Sequence, residues 1–280
     1  MSRMLDVMRC AAASGGLVLL AACGGGGGGG SGGGGVTPPD PGTEIVTPGL
    51  ESYTTQHNGY ARVRRSQSEG PADDAILAQF DDADPASPAG YKSLIAEAEA
   101  AYTDTMTIEV IAEVDGNGDP TRILRLTADQ APVENITEAS GKYYFRGKNY
   151  VWVSVDGAPI QSGYDETGLV DMVIDFDAET ASINLRTGVD AGSDVRTEML
   201  ASDMPFNVSS GAYGGPITLS VWAPGNEILE ADGMLRGNIG GDLSDVSREN
   251  LTTSGVYTAE SDRIEASGIF YGQHPNQIAP

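Results

Sequence analysis

Between Gly141 and Tyr271 the chain alternates apolar and polar residues with a period of two, segment after segment, and no other feature limits its folding as tightly. Val151, Val153 and Val155 alternate with Tyr150, Trp152 and Ser154, and Val170, Met172, Ile174 and Phe176 alternate with Asp171 and Asp175. Ala181, Ile183 and Leu185 alternate with Ser182, Asn184 and Arg186, and Ile217, Leu219 and Val221 with Thr218, Ser220 and Trp222. Further strands fit Met234 to Ile239, Thr252 to Thr258 and Arg263 to Tyr271. Successive side chains of a strand point to opposite faces, so this pattern gives an antiparallel sheet with one dry and one wet face. About eight such strands suit a sheet closed on itself around a filled interior. The expected fold is therefore mainly β, with an antiparallel eight-stranded soluble β-barrel at the C-terminus, residues 136–280.

A membrane-spanning barrel alternates too. Its strands need about 9 to 11 residues each and girdles of aromatic residues at both interfaces. Here the clean runs are shorter and aromatics make up only 6% of the chain, so the pattern reads as a barrel in water.

Residues 51–135 read as a small α+β unit. Pro71 followed by Asp73 and Asp74 marks a helix start, with Ile76, Leu77 and Phe80 on one face. A second helix is expected from about Gly90 to Tyr102, where Tyr91, Leu94, Ile95, Ala98 and Tyr102 have helical spacing. Thr107 to Val114 alternates as a strand, and Asp115-Gly116-Asn117-Gly118-Asp119 turns it into a second strand around Arg122 to Thr127. Asp115, Asn117 and Asp119 share the first three ligand positions of a calcium-binding loop. Pro120 stands where that loop needs its glycine and Leu126 where it needs its bidentate carboxylate, so the turn reads as a plain hairpin.

The start of the chain concerns address rather than fold. Arg3 and Arg9 precede an apolar run from Ala11 to Ala22 that is too short to span a bilayer, the layout of an export signal over residues 1–22. It ends in Leu20-Ala21-Ala22-Cys23, which resembles the lipobox of bacterial lipoproteins. That resemblance implies cleavage before Cys23, diacylation of its sulfur, and a membrane partner through the lipid; Gly24, rather than an aspartate, implies sorting to the outer membrane. Residues 23–50 then read as the lipidated cysteine and a tether, glycine-rich from Gly24 to Gly35 and proline-bearing after it. The glycine run follows no strand and opens no helix, which excludes a phosphate loop. As a flexible coil, the stretch from Gly24 to Thr43 spans roughly 25 Å.

Composition removes several classes of function. The net charge is −24, and loss of the export signal makes it one unit more negative. No Lys/Arg cluster exceeds Arg62, Arg64 and Arg65, so nucleic acid is excluded as a partner. Of two cysteines one leaves with the signal and the other is the lipid site, leaving no disulfide, thiolate metal ligand or cysteine nucleophile. His57 and His274 have no metal-ligand spacing, no nucleophile motif is present, and 40 acidic residues are too many to nominate a catalytic pair. No catalytic residue, metal or cofactor is assigned, and an enzyme, most plausibly a carboxylate-dependent hydrolase, stands third among the readings.

The glycines and aromatics of the barrel region carry a second resemblance. Gly141 to Gly147 (GKYYFRG), Gly233 to Gly237 (GMLRG) and Gly268-Ile269-Phe270-Tyr271-Gly272 resemble the repeated G-x-F-Y-G strands of the transferrin-binding-protein-like barrel of Gram-negative surface lipoproteins. Leu169 to Leu185 resembles that family's strand-turn-strand. Glycines suit a small twisted barrel, where they allow bends and close approach of strands. In the family a Gly-Pro, an acidic stretch, a Gly-Gly pair and one more strand follow the G-x-F-Y-G strand. Here Gly272 is followed by Gln273 to Pro280, so the last strand is missing or is supplied from elsewhere, near Tyr53 to Val63. The resemblance implies a non-catalytic binding module at the outer membrane that holds a host protein, metal carrier or small solute; the family's larger N-terminal lobes are absent, which argues against transferrin itself. A periplasm-facing structural lipoprotein is the competing reading. Trp152 and Trp222 fall on the polar faces of their strands and are the candidate ligand-binding residues, unless helices of the first unit cover them.

Overall fold

In the computed structural model residues 60–274 are described, apart from 83–85, 96–105, 132–135, 137–138, 189, 191, 224, 226 and 242–250, together with the backbone of two short strands at 43–44 and 54–57. Residues 38–280 form one compact unit. Cys23 and the residues expected to form the export signal and the tether lie outside the described residues, apart from the backbone of 43–44.

The first half is a six-stranded antiparallel sheet and one helix. Its strands are β1 (Thr43–Glu44), β2 (Thr54–His57), β3 (Tyr60–Ser66), β4 (Tyr91–Ile95), β5 (Met106–Val114) and β6 (Pro120–Gln130), in the order β1-β2-β3-β6-β5-β4. Helix α1 (Pro71–Phe80) starts at its proline with Asp73 and Asp74 in the first turn, as expected. It lays Leu77 on Ile111 and Leu124, with Ile76, Phe80 and Tyr91 around them.

The described part of the expected second helix is a strand. Tyr91–Ile95 is the edge strand β4, pairing Tyr91 with Glu113, Lys92 with Ala112 and Ser93 with Ile111; residues 96–102 of the expected helix lie outside the described residues. The apolar spacing over this stretch is short enough to fit either period. The open hydrogen-bonding edge of β5 gives the strand a partner that an isolated helix would lack.

The second half is a closed barrel. Its strands are β7 (Lys142–Val155), β8 (Gln161–Asp175), β9 (Thr180–Thr187), β10 (Arg196–Pro205), β11 (Ala212–Trp222), β12 (Ile228–Gly240), β13 (Thr252–Glu260) and β14 (Ile264–Gln273), in the order β10-β11-β12-β13-β14-β7-β8-β9 and then back to β10. This corrects the expectation of a missing last strand. β14 pairs with β7 from Ile264↔Val155 to Gln273↔Arg146, so the barrel closes on its own eight strands. Thr54–His57 and Tyr60–Ser66 belong to the other sheet instead. The strand overlooked in the sequence is β10, whose Thr197, Met199 and Ala201 face in while Glu198 and Leu200 face out. Val170 also departs from its expected place: pairing slips between Leu169 and Asp171, and Leu169 rather than Val170 enters the core.

The glycine-aromatic motif now has a geometric cause. Gly237 faces Tyr213, Gly255 faces Phe270 and Gly268 faces Tyr257 directly across paired strands. In each pair the ring lies flat over the glycine: a Cβ at Gly268 would meet Tyr257 Cζ at 2.0 Å, one at Gly237 would meet Tyr213 Cζ at 2.3 Å, and one at Gly255 would meet Phe270 Cζ at 2.4 Å. The rings occupy the room the missing side chains leave, the arrangement known as aromatic rescue of glycine. Their hydroxyls are satisfied inside, Tyr257 donating to Asn149 Oδ1 at 3.1 Å and Tyr213 lying 2.6 Å from Thr253 Oγ1. The barrel interior is thus filled with side chains.

The two halves share a core. One face of the six-stranded sheet, with Val63, Ile108, Val110, Leu126 and Ala128, packs on the outward residues Trp152, Val256, Ile269 and Tyr271 of the barrel. Polar contacts pin the same seam: Thr252 Oγ1 donates to Gln130 Oε1 at 2.9 Å and Ser254 Oγ to the Ala128 carbonyl at 3.1 Å. The order is helix, sheet, barrel, each layer burying one face of the next.

Candidate ligand-binding cleft

A cleft of about 900 Å³ opens where the end of the six-stranded sheet meets the barrel. Three segments build its walls: the β5–β6 hairpin with Asp115, Asp119 and Arg122; the connection from β7 to β8 with Pro159 and Ile160; and β14 with Glu265 and Ser267. The hairpin holds its shape through Asp115. Its Oδ1 accepts the backbone N–H groups of Asn117 at 2.8 Å and of Asp119 at 3.0 Å, and these bonds hold its carboxyl below the usual aspartate range. This is the plain hairpin expected from sequence. Among the described residues no three His, Cys, Asp or Glu side chains converge as a metal site would need.

The floor is apolar. Trp152, only 6% exposed, lines it with Ile123 and Ile160. Gln67 and Ser267 close the inner end by a reciprocal pair of hydrogen bonds at 3.1 and 3.2 Å. The rim is acidic: Glu69, Asp115, Asp119, Asp194 and Glu265 all line the opening and all are exposed.

Arg122 is the one cationic residue in the lining. It is already engaged, donating to Asp73 at 2.6 and 2.9 Å and to Glu113 at 3.2 Å. Hydrogen bonding from Arg122, then from the Glu69 backbone N–H, holds the Asp73 carboxyl down to about 2, so the pair stays ionised at neutral pH. Lys92 reaches the same hairpin, but the Gly118 carbonyl accepts its ammonium. The cleft therefore presents uncompensated negative charge above a hydrophobic floor.

The rim carboxylates stand in water. His274 follows β14, donating its backbone N–H to the Leu251 carbonyl at 3.0 Å, and the His57 side chain lies outside the described residues.

The two tryptophans have different fates. Trp152 is covered, by the sheet of the first unit rather than by its helices, and meets solvent only at the cleft. Trp222 lies elsewhere, half-buried on the outer wall of β11 with the Arg196 guanidinium 4.2 Å above its ring. Arg196, Trp222 and Ile228 form one cross-strand row there, with Ile228 55% exposed. The cleft's acidic rim was not legible in the sequence, because Asp119, Asp194 and Glu265 come from three distant segments in an acidic chain.

No family model and no curated protein matches this chain. Among solved structures it is similar to transferrin binding protein B from serogroup B Neisseria meningitidis, at 12% identity over 68% of this chain and 36% of that one, with a TM-score of 0.41. It is similar to intact Ap-TbpB, with its N and C lobes, at 12% identity over 67% of this chain and 39% of that one, TM-score 0.43. A third is HpuA from Kingella denitrificans, solved in complex with human haemoglobin, at 14% identity over 61% of this chain and 54% of that one, TM-score 0.38. The matched region spans between 36% and 54% of the length of these proteins.

Proposed function

We propose that the chain is a non-catalytic binding module, tethered to the outer membrane by a lipid on Cys23, that captures a host protein or small solute at the cell surface. The observation that carries this reading is the cleft of about 900 Å³ over Trp152, beside a barrel whose interior is filled. Its size lies toward the upper end for ligand pockets, and it pairs an apolar floor with polar groups around the mouth, the usual make-up of a binding site. The glycine-rich segment after Cys23 gives such a module reach from the membrane.

Protease treatment of intact cells tests the surface assignment, with a periplasmic protein as leakage control and Cys23→Ala as the unanchored control. Loss of the folded domain while the periplasmic marker survives is the expected result. Full protection until the outer membrane is opened refutes surface capture and leaves the periplasm-facing structural role.

A further inference from the structure

Three properties of the cleft bear on what it holds. Its rim carries five exposed carboxylates against one arginine, and that arginine pairs with Asp73 and Glu113 and lies 3.9 Å from Glu69, which leaves Asp115, Asp119, Asp194 and Glu265 of the rim without it. Its floor is Trp152 with Ile123 and Ile160. And Trp152, more than nine-tenths buried, lines the cleft with the little surface it keeps. Each property constrains the ligand separately. The rim requires positive charge. The floor requires an apolar part, which excludes a bare metal ion and suits a Lys or Arg side chain, whose methylene stem lies on apolar surface while its head stays at the polar edge. An indole ring is also the aromatic surface that attracts cations most strongly. The Trp152 indole N–H is a donor, so a ligand that brings an acceptor beside its cation can use it. A protonated polyamine has only donors, whereas a peptide brings a carbonyl with every residue.

We infer that this cleft binds an extended Lys- and Arg-rich peptide segment of a partner protein, with basic side chains crossing the rim at Asp119, Asp194 and Glu265 and a backbone carbonyl accepting from Trp152. The inference deepens the binding reading above and rests on it for the choice of site. It does not depend on which side of the outer membrane the module faces.

The test uses the full anchored chain, purified in detergent, and a fluorescein-labelled eight-residue Lys/Arg peptide, with an Asp/Glu peptide of equal length and spermine as competitors. The Lys/Arg peptide binds and the acidic one does not. Asp119→Asn with Glu265→Gln weakens binding at least about threefold, since each exposed ion pair is worth a few tenths to about 1 kcal/mol. Trp152→Phe keeps a ring and deletes the donor, and weakens binding roughly fivefold, about one hydrogen bond. Glu198→Gln with Glu230→Gln, two acids on the outer wall of β10 and β12, removes the same charge and leaves binding unchanged. Equal weakening by the two charge pairs would mean attraction to an acidic protein at large and overturn the site. Spermine binding tighter than the peptide would overturn the peptide as occupant. Failure of the peptide to bind sinks this inference alone, whereas protection of the domain on intact cells sinks surface capture and leaves the cleft's chemistry standing.

Discussion

Replacing Gly268 by alanine tests whether the glycine-aromatic pairs set the shape of the barrel. The new Cβ would sit 2.0 Å from Tyr257 Cζ and 2.4 Å from its Oη. Ordinary carbon contacts lie near 3.5–4 Å, so the ring must retreat by roughly 1.5 Å. It is 1% exposed and its hydroxyl is bound to Asn149, so retreat disturbs a packed interior. Overpacking of this kind costs about 1–3 kcal/mol. In a Tyr257→Ala background the obstacle is gone, and alanine in a strand then gains about 0.5–1 kcal/mol over glycine from the unfolded chain. The same substitution should therefore change sign between the two backgrounds, a coupling of about 1.5–4 kcal/mol. Urea unfolding followed by circular dichroism on all four members of the cycle measures it. At a slope of about 3 kcal/mol/M, a loss of 2 kcal/mol moves the midpoint down by roughly 0.7 M. Gly233→Ala is the contrast, because its Cβ would meet the Thr258 carbonyl oxygen at 1.9 Å, a backbone atom that no side-chain truncation removes. Additive effects of Gly268→Ala and Tyr257→Ala, within about 0.5 kcal/mol, would refute the reasoning.

Other expectations concern the seam, the acid limb and the anchor. Trp152→Ala, at the sheet-barrel interface, should destabilise the protein by about 3–5 kcal/mol in the same unfolding assay, while Trp222→Ala, half-buried under Arg196, should cost about 1–2 kcal/mol; equal losses would count against the seam as a shared core. Asp73, held down to about 2 from 3.8, lends stability that is fully present above pH about 3.8 and is lost as pH falls toward about 2. Asp73→Asn should flatten the stability profile in that window, and a profile of unchanged slope would show that Arg122 does not hold the carboxylate in solution. Cys23→Ala should move the protein from the membrane pellet to the soluble fraction; retention in the pellet would argue for attachment by other means.

The parts of the fold that were legible in the sequence are those where one residue's face settles its fate. Val151 and Val153, or Ala181, Ile183 and Leu185, read correctly because burial on one side alone produces period two. The helix at Pro71 read correctly because its start signals are local. Tyr91–Ile95 did not, since only the neighbouring edge of β5 makes it a strand. Closure was misjudged because the family's further strand was expected after Gly272, whereas β14 itself pairs with β7. β10 was overlooked separately, since it hides its alternation behind Glu198 and an exposed Leu200. Trp152 was read as outward-facing, which it is relative to the barrel. What the pattern could not show is that a second sheet lies on that outer face and leaves an opening at its end.

Closure of β14 on β7 also sets the order in which the chain can become stable. β7 leaves the ribosome early among the eight strands and β14 last, so the edge of β7 stays open until Ile264–Gln273 arrives. The first sheet cannot finish sooner, for the surface it rests on includes Val256, Ile269 and Tyr271, the last two from that same strand. Two cores are thus completed by one ten-residue segment. Pairing across so long a loop is slow, and an open edge recruits other chains in the meantime. Half-made chains of such a protein are left soft for proteases rather than trapped as stable fragments.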